Sequence, residues 1–112
     1  MRFLMIYHPD HAAVTAPPTQ ELMTAMGKLI EESTKAGILI STGGTCGLSY
    51  GIRVRRQDGE VSVHDGPFTE AKELVGGYAL CELPSKEAAI AYAKKFLAIV
   101  GNGDSEIHQL DS

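Results

Sequence analysis

From Arg2 to His8 the chain alternates Phe3, Met5 and Tyr7 with Leu4, Ile6 and His8. Alternation sends the two sets to opposite sides of a strand. Both sets are mainly apolar, which predicts a strand inside a sheet with cover on each side. Pro9 and then Pro17-Pro18 mark a connecting segment, because proline has no N–H to give to a helix or a ladder. Thr19 suits an N-cap, Leu22, Met26, Leu29, Ile30 and Ser33 recur at helical spacing, and Gly37 suits the end. The pattern predicts a helix over 19–36.

Ile38 to Thr42 reads as a short strand halted by Gly43-Gly44. Ile52 to Gln57 alternates again, and Asp58-Gly59 signals a tight hairpin returning through Val61 to His64. One side of this hairpin is apolar and the other polar, so half exposure is expected. Asp65-Gly66-Pro67-Phe68 is a loop, and Thr69 to Glu73 has the makings of a helical turn. Val75 to Leu83 is a further strand, in which Gly76-Gly77 marks a bulge or a close backbone approach. Ser85 caps a helix whose Ala89, Tyr92, Ala93, Phe96, Leu97 and Val100 form one apolar stripe. Gly101 and Gly103 break it, and Glu106 to Leu110 closes the chain as a strand.

The order is βαβ, an inserted ββ hairpin, then βαβ. Two split βαβ units describe an α+β, ferredoxin-like fold with helices on one face of an antiparallel sheet. Two helices roof only one side. The other side, carrying Leu4, Ile6, and Ala79 and Cys81 or their alternates, needs a second roof, which a two-fold homodimer supplies.

A chain of 112 residues is expected to form a single domain over 1–112. With 44% hydrophobic and 21% charged residues it has the composition of a soluble globular protein, not a disordered one. A formal charge of −4 argues against nucleic acid or anionic lipid as partner, and Arg53, Arg55 and Arg56 are explained by a solvated strand. No apolar run reaches the length of a membrane span and no export signal is evident. Cys46 and Cys81 are therefore read as reduced thiols in a cytoplasmic protein.

Candidate chemistry centres on Val63-His64-Asp65-Gly66-Pro67-Phe68-Thr69-Glu70. Glycine and proline fix this loop, so that Asp65 and Phe68 take definite orientations. Asp65 can exchange protons from a partly apolar pocket or hold an Asx-type turn. His8 and His64 end strands that can approach it. Neighbours on a strand face opposite ways, so His8 is the better partner for Asp65. Ser41, Phe68 and Tyr78 complete a candidate small-molecule pocket between sheet and helices. His8-x-x-His11, interrupted by Pro9, lacks the further ligands of a zinc site. Ser41-Thr42-Gly43-Gly44-Thr45 lacks the lysine and helix of a P-loop, so no metal, nucleotide or flavin is implied.

The opening Arg2–Tyr7 strand, Ala36-Gly37-Ile38-Leu39, Asp65-Gly66-Pro67-Phe68, Gly76-Gly77-Tyr78 and Ser85-Lys86-Glu87-Ala88-Ala89 together resemble the DGPF-domain, or YCII-related, family. The resemblance implies a dimeric α+β barrel of ferredoxin-like subunits. Some relatives are encoded beside alternative sigma factors, and the wider superfamily includes an aromatic dehydrochlorinase. Two functions are thus implied. One is a cofactor-free lyase- or hydrolase-type enzyme using Asp65 and His8. The other is a ligand-binding or regulatory protein. The segment His8-Pro9-Asp10-His11 departs from the usual family wording.

Overall fold

A computed structural model describes residues 1–10, 18–45, 51–66 and 74–111. Eight elements follow one another: β1 (Arg2–Pro9), α1 (Gln20–Lys35), β2 (Leu39–Gly44), β3 (Ile52–Gln57), β4 (Glu60–Asp65), β5 (Gly77–Glu82), α2 (Lys86–Val100) and β6 (Gly103–Gln109). β1, β2, β5 and β6 form one antiparallel sheet in the order β2-β5-β1-β6. Omitting the hairpin, this is the strand order of a ferredoxin-like α+β fold. β3 and β4 form a separate two-stranded sheet.

The helix limits follow from local chemistry. Thr19 accepts from the Leu22 N–H at 3.1 Å, and Ser85 accepts from the Ala88 N–H at 3.1 Å. Each thereby satisfies a donor that the first helical turn leaves open. α1 ends where Gly37 takes φ 76°, which lets the Ile38 N–H return to the Ser33 carbonyl at 2.9 Å. The buried hydroxyl of Ser33 donates to Leu29 O at 2.6 Å and accepts from Tyr92 OH at 2.8 Å, joining α1 to α2. Burial raises the pKa of Tyr92, partly offset by that bond.

The ladder register sorts every sheet residue by face. Phe3, Cys81, Met5, Ala79 and Ile107 point to the helices. Phe3, Met5, Cys81, Leu83, Ala89 and Ala93 make the buried core. Two alanines on α2 let the helix approach the sheet closely. Tyr7 joins this face, its ring edge-on to Phe96 at 5.2 Å, with its hydroxyl donating to Asn102 O at 3.1 Å. Ala79 and Cys81 therefore lie under the helices, and their alternates Tyr78 and Leu80 share the opposite face with Leu4 and Ile6. Burial pushes the Cys81 thiol up to about 11, leaving it a packing residue.

Two expectations change, and one of two alternatives is settled. β2 runs through Gly43 and Gly44 instead of halting there, because the glycines are what admit β5. A Cβ on Gly77 would stand 2.8 Å from Gly43 O, and one on Gly43 would stand 3.0 Å from the Tyr78 ring. Gly76-Gly77 is thus a close approach, while the register shift falls in β2 between Leu39 and Ser41. The hairpin is exposed at all twelve strand positions, not half of them. Its turn, with Asp58 at φ 52° and Gly59 at φ 81°, is of the type that matches strand twist. The expected helical turn over 69–73 lies outside the described residues.

The radius of gyration is 15.5 Å, against roughly 13 Å for a compact chain of this length. The hairpin stands away from a thin body and is called the arm below. Gly77→Ala should destabilise the fold by about 1–3 kcal/mol through overpacking, measured by urea unfolding. Gly27→Ala, on an open helix surface with nothing within 4 Å of the new Cβ, should stabilise it by about 0.5–1 kcal/mol.

Candidate functional site

The register draws the uncovered face as a small grid. One row across it reads Ser41, Leu80, Leu4, His108, and the next reads Gly43, Tyr78, Ile6, Glu106. His8 stands one step further along β1, opposite Asp104. The centre of the face is apolar, with hydroxyl groups on the β2 side and ionisable groups on the β6 side.

His8 is held at one ring nitrogen. Its Nδ1 lies 2.9 Å from the carbonyl oxygen of buried Leu74, so Nδ1–H donates there. The other nitrogen, Nε2, is shielded from solvent and has no hydrogen-bond partner among the described residues. Its nearest charged neighbour is Glu106, with Oε1 3.6 Å away. Glu106 is in turn fixed by His108, whose Nε2 meets Oε2 at 2.6 Å. A carboxylate therefore stands between two imidazoles. The His108 hydrogen bond is the main reason the Glu106 pKa falls below its ordinary value, opposed by desolvation and helped by the charges of His108 and His8.

A concavity of about 500 Å³ opens beside this group, lined by His8, Leu97, Gly103, Asp104, Ser105 and Glu106. That volume is in the range of small-molecule sites. Across the sheet, Ser41 Oγ and Tyr78 OH lie 2.9 Å apart, and Thr42 Oγ1 donates to Tyr78 O at 2.9 Å. Gly43 leaves space for the Tyr78 ring. Tyr78 and His8 are diagonal neighbours across β5 and β1, roughly 7–8 Å apart by ladder geometry.

Of the residues singled out from sequence, His8, Ser41 and Tyr78 share one face. It is the uncovered face, not the space between sheet and helices, because His8 is in step with Leu4 and Ile6. Asp65 ends β4 opposite Ile52 and is exposed, with no side-chain partner among the described residues. Gly66 N–H donates to Gly51 O at 3.0 Å, closing the base of the arm. His64 faces the other way, its Nε2 3.3 Å from Ser62 Oγ. Phe68, Cys46 and His11 lie outside the described residues. Among those described, no three His, Cys, Asp or Glu side chains are disposed to hold a metal ion, and no helix is long and apolar enough to cross a membrane.

Glu106, His108 and the Leu74 carbonyl were missed by sequence reasoning. The signal was present in Glu106-Ile107-His108, where alternation puts both polar groups on one side. Only the β1–β6 register shows that this is the side of His8.

Residues 1–99 match the YCII-related domain, and the chain belongs to that family. No curated protein matches it. Among solved structures it is similar to 5-chloro-2-hydroxyhydroquinone dehydrochlorinase (TftG) from Burkholderia phenoliruptrix AC1100, in complex with 2,5-dihydroxybenzoquinone. The TM-score is 0.54 at 13% identity, over 99% of this chain and 94% of the other. That likeness extends to the fold.

His108→Ala should raise the Glu106 pKa back toward its ordinary value, read by carbon-13 NMR titration of the carboxyl. The sign follows from linkage. A depressed folded-state pKa gives stability that is complete above the unfolded-state value and is lost as pH falls through the folded one. Acid unfolding of the wild type should therefore reach lower pH than that of His108→Ala.

Proposed function

We propose that this member of the YCII-related family is a cofactor-free acid–base enzyme acting on a small molecule, with His8 as its proton-transfer group. The observation that carries this reading is the fixed imidazole. Leu74 O holds the proton on Nδ1, so neutral His8 carries its lone pair on Nε2, a nitrogen shielded from solvent that substrate reaches once the exposed Glu106 side chain swings aside. A substrate O–H or C–H placed there transfers its proton to Nε2. The imidazolium so formed is balanced by Glu106, which His108 keeps ionised. In an elimination the leaving group departs with its bonding electron pair. In a hydrolysis the proton comes from an attacking water. Leu97 of α2 supplies the apolar wall of the concavity, with Asp104 and Ser105 beside it, while Ser41 and Tyr78 lie further across the same sheet face as His8.

The working unit in this reading is a two-fold homodimer joined through the uncovered sheet faces. Leu4, Ile6, Leu80 and Tyr78 are then buried against the partner, and the site lies at the margin of that contact. The dehydrochlorinase supports the reaction class, since its fold carries an elimination on a hydroxylated ring. Asp65, the other acid–base candidate, stays outside the reading because it sits on the arm. A regulatory ligand-binding protein is the second reading, favoured by the exposed apolar side of the arm.

Halogenated hydroquinones, with halide release as the signal, are the first substrates to test. His8→Gln should lower kcat by about 10²–10⁴-fold. Glu106→Gln should lower kcat more than it raises KM. Full turnover in folded His8→Gln would reject His8 as the base. Binding of 2,5-dihydroxybenzoquinone with no turnover of any hydroquinone would favour the second reading. Leu80→Lys should convert a sedimenting dimer to monomer.

A further inference from the structure

We infer that the β3–β4 arm is a self-association surface, and that its occupant is the arm of a second copy packed face to face, tip over base. The inference rests on the dimer of the preceding section, to which the arm adds a separate contact.

An isolated two-stranded hairpin is at best marginally stable in water. This arm nevertheless leaves Ile52, Val54, Val61 and Val63 exposed to between 63% and 64%. The register puts all four on one side of the ribbon. From the tip inward, that side reads Arg56 with Val61, then Val54 with Val63, then Ile52 with Asp65. The other side is polar throughout, with Gln57 and Glu60, Arg55 and Ser62, and Arg53 and His64 as its rows. An apolar stripe with polar backing is the pattern of a surface that meets another.

The charges at the ends of the stripe select what it meets. Arg56 lies at the tip end and Asp65 at the base end, with the valines between them. If two arms stack with tips aligned, both arginines fall in the facing tip rows and both aspartates in the facing base rows. A two-fold through the middle row, perpendicular to the arm, instead sets the Arg56 row of each copy over the row holding the partner's Asp65. Val54 and Val63 then pack on their own counterparts. The face is thus complementary to itself in charge as well as in polarity, which a two-fold contact requires. A partner of uniform charge would match one end and be repelled at the other.

Area fixes the role of the contact. Four aliphatic side chains bury only a few hundred Å² per copy, below the roughly 800 Å² per partner of a stable interface. The arms therefore reinforce and orient an assembly that the sheet faces hold.

The test is sedimentation velocity of the full chain over a concentration series, with circular dichroism to confirm folding. Arg56→Asp and Asp65→Arg should each weaken association about tenfold, and the double reversal, Arg56→Asp with Asp65→Arg, should recover it. Val54→Lys should weaken it more. Unchanged association in Val54→Lys and in both single reversals would overturn the proposal. Loss in the singles without recovery in the double would also overturn it, by placing the arm against some other surface of the chain. Leu80→Lys reports on the sheet-face contact separately. Loss there with no effect of the arm variants would leave the dimer standing and reject the arm pairing.

Discussion

Four strands and two helices impose one constraint on this protein: the odd-numbered residues of β1 from Phe3 to Tyr7 face the helices, and among the described residues no helix covers the even-numbered side chains from Leu4 to His8. The buried core is small in consequence. It depends on Ala89 and Ala93 to bring α2 down onto Phe3, Met5 and Cys81, and on the Ser33–Tyr92 hydrogen bond to hold the helices together. Apolar burial contributes about 25 cal/mol per Å², so a two-layer sandwich of this thickness has little in reserve. Covering Leu4, Ile6, Leu80 and Tyr78 would add stabilisation of the same kind. A partner over that face would thus link stability to assembly.

The same constraint explains where ionisable groups collect. On the roofed side an imidazole would lose water with nothing to replace it. On the open side His8 has a buried carbonyl at one nitrogen and a carboxylate near the other. β6 is the edge strand, so Glu106 and His108 keep contact with water on the same side of the sheet as His8. Glu106 is therefore held ionised by a hydrogen bond and by neighbouring charge, without heavy desolvation. This is a favourable setting for balancing a transient positive charge on His8.

The elements were legible wherever the deciding interactions were local. Thr19 and Ser85 as caps, Gly37 as a helix stop and Asp58-Gly59 as a turn each act within four residues, and the structure bears them out. The fold class followed from the order of these elements. Readings that depended on contacts distant in sequence fared less well. Gly43 and Gly44 look like breakers until Gly77 and Tyr78 are placed against them, thirty-odd residues later in the chain. The uncovered face was foreseen, yet Ala79 and Cys81 needed the β1–β5 register to be assigned to the helices. Glu106 had no visible meaning without the 98-residue separation from His8 being closed by the β1–β6 ladder.

The described part of the motif that drew attention in the sequence, up to Gly66, closes the base of the arm. Asp65 is the last ladder residue of the arm, and Gly66 closes the ladder onto Gly51. A carboxylate at the base of an apolar stripe is costly for a free hairpin, since it interrupts the only surface that could bury anything. Arg56 at the other end has the same effect. Two such interruptions, of opposite sign and one at each end, restrict the alignments in which the stripe can be covered. On an edge-exposed ribbon that restriction matters, because both strands otherwise present open backbone groups to any passing strand. In the arm pairing inferred above, Asp65 limits what the arm accepts, whatever proton chemistry takes place at His8.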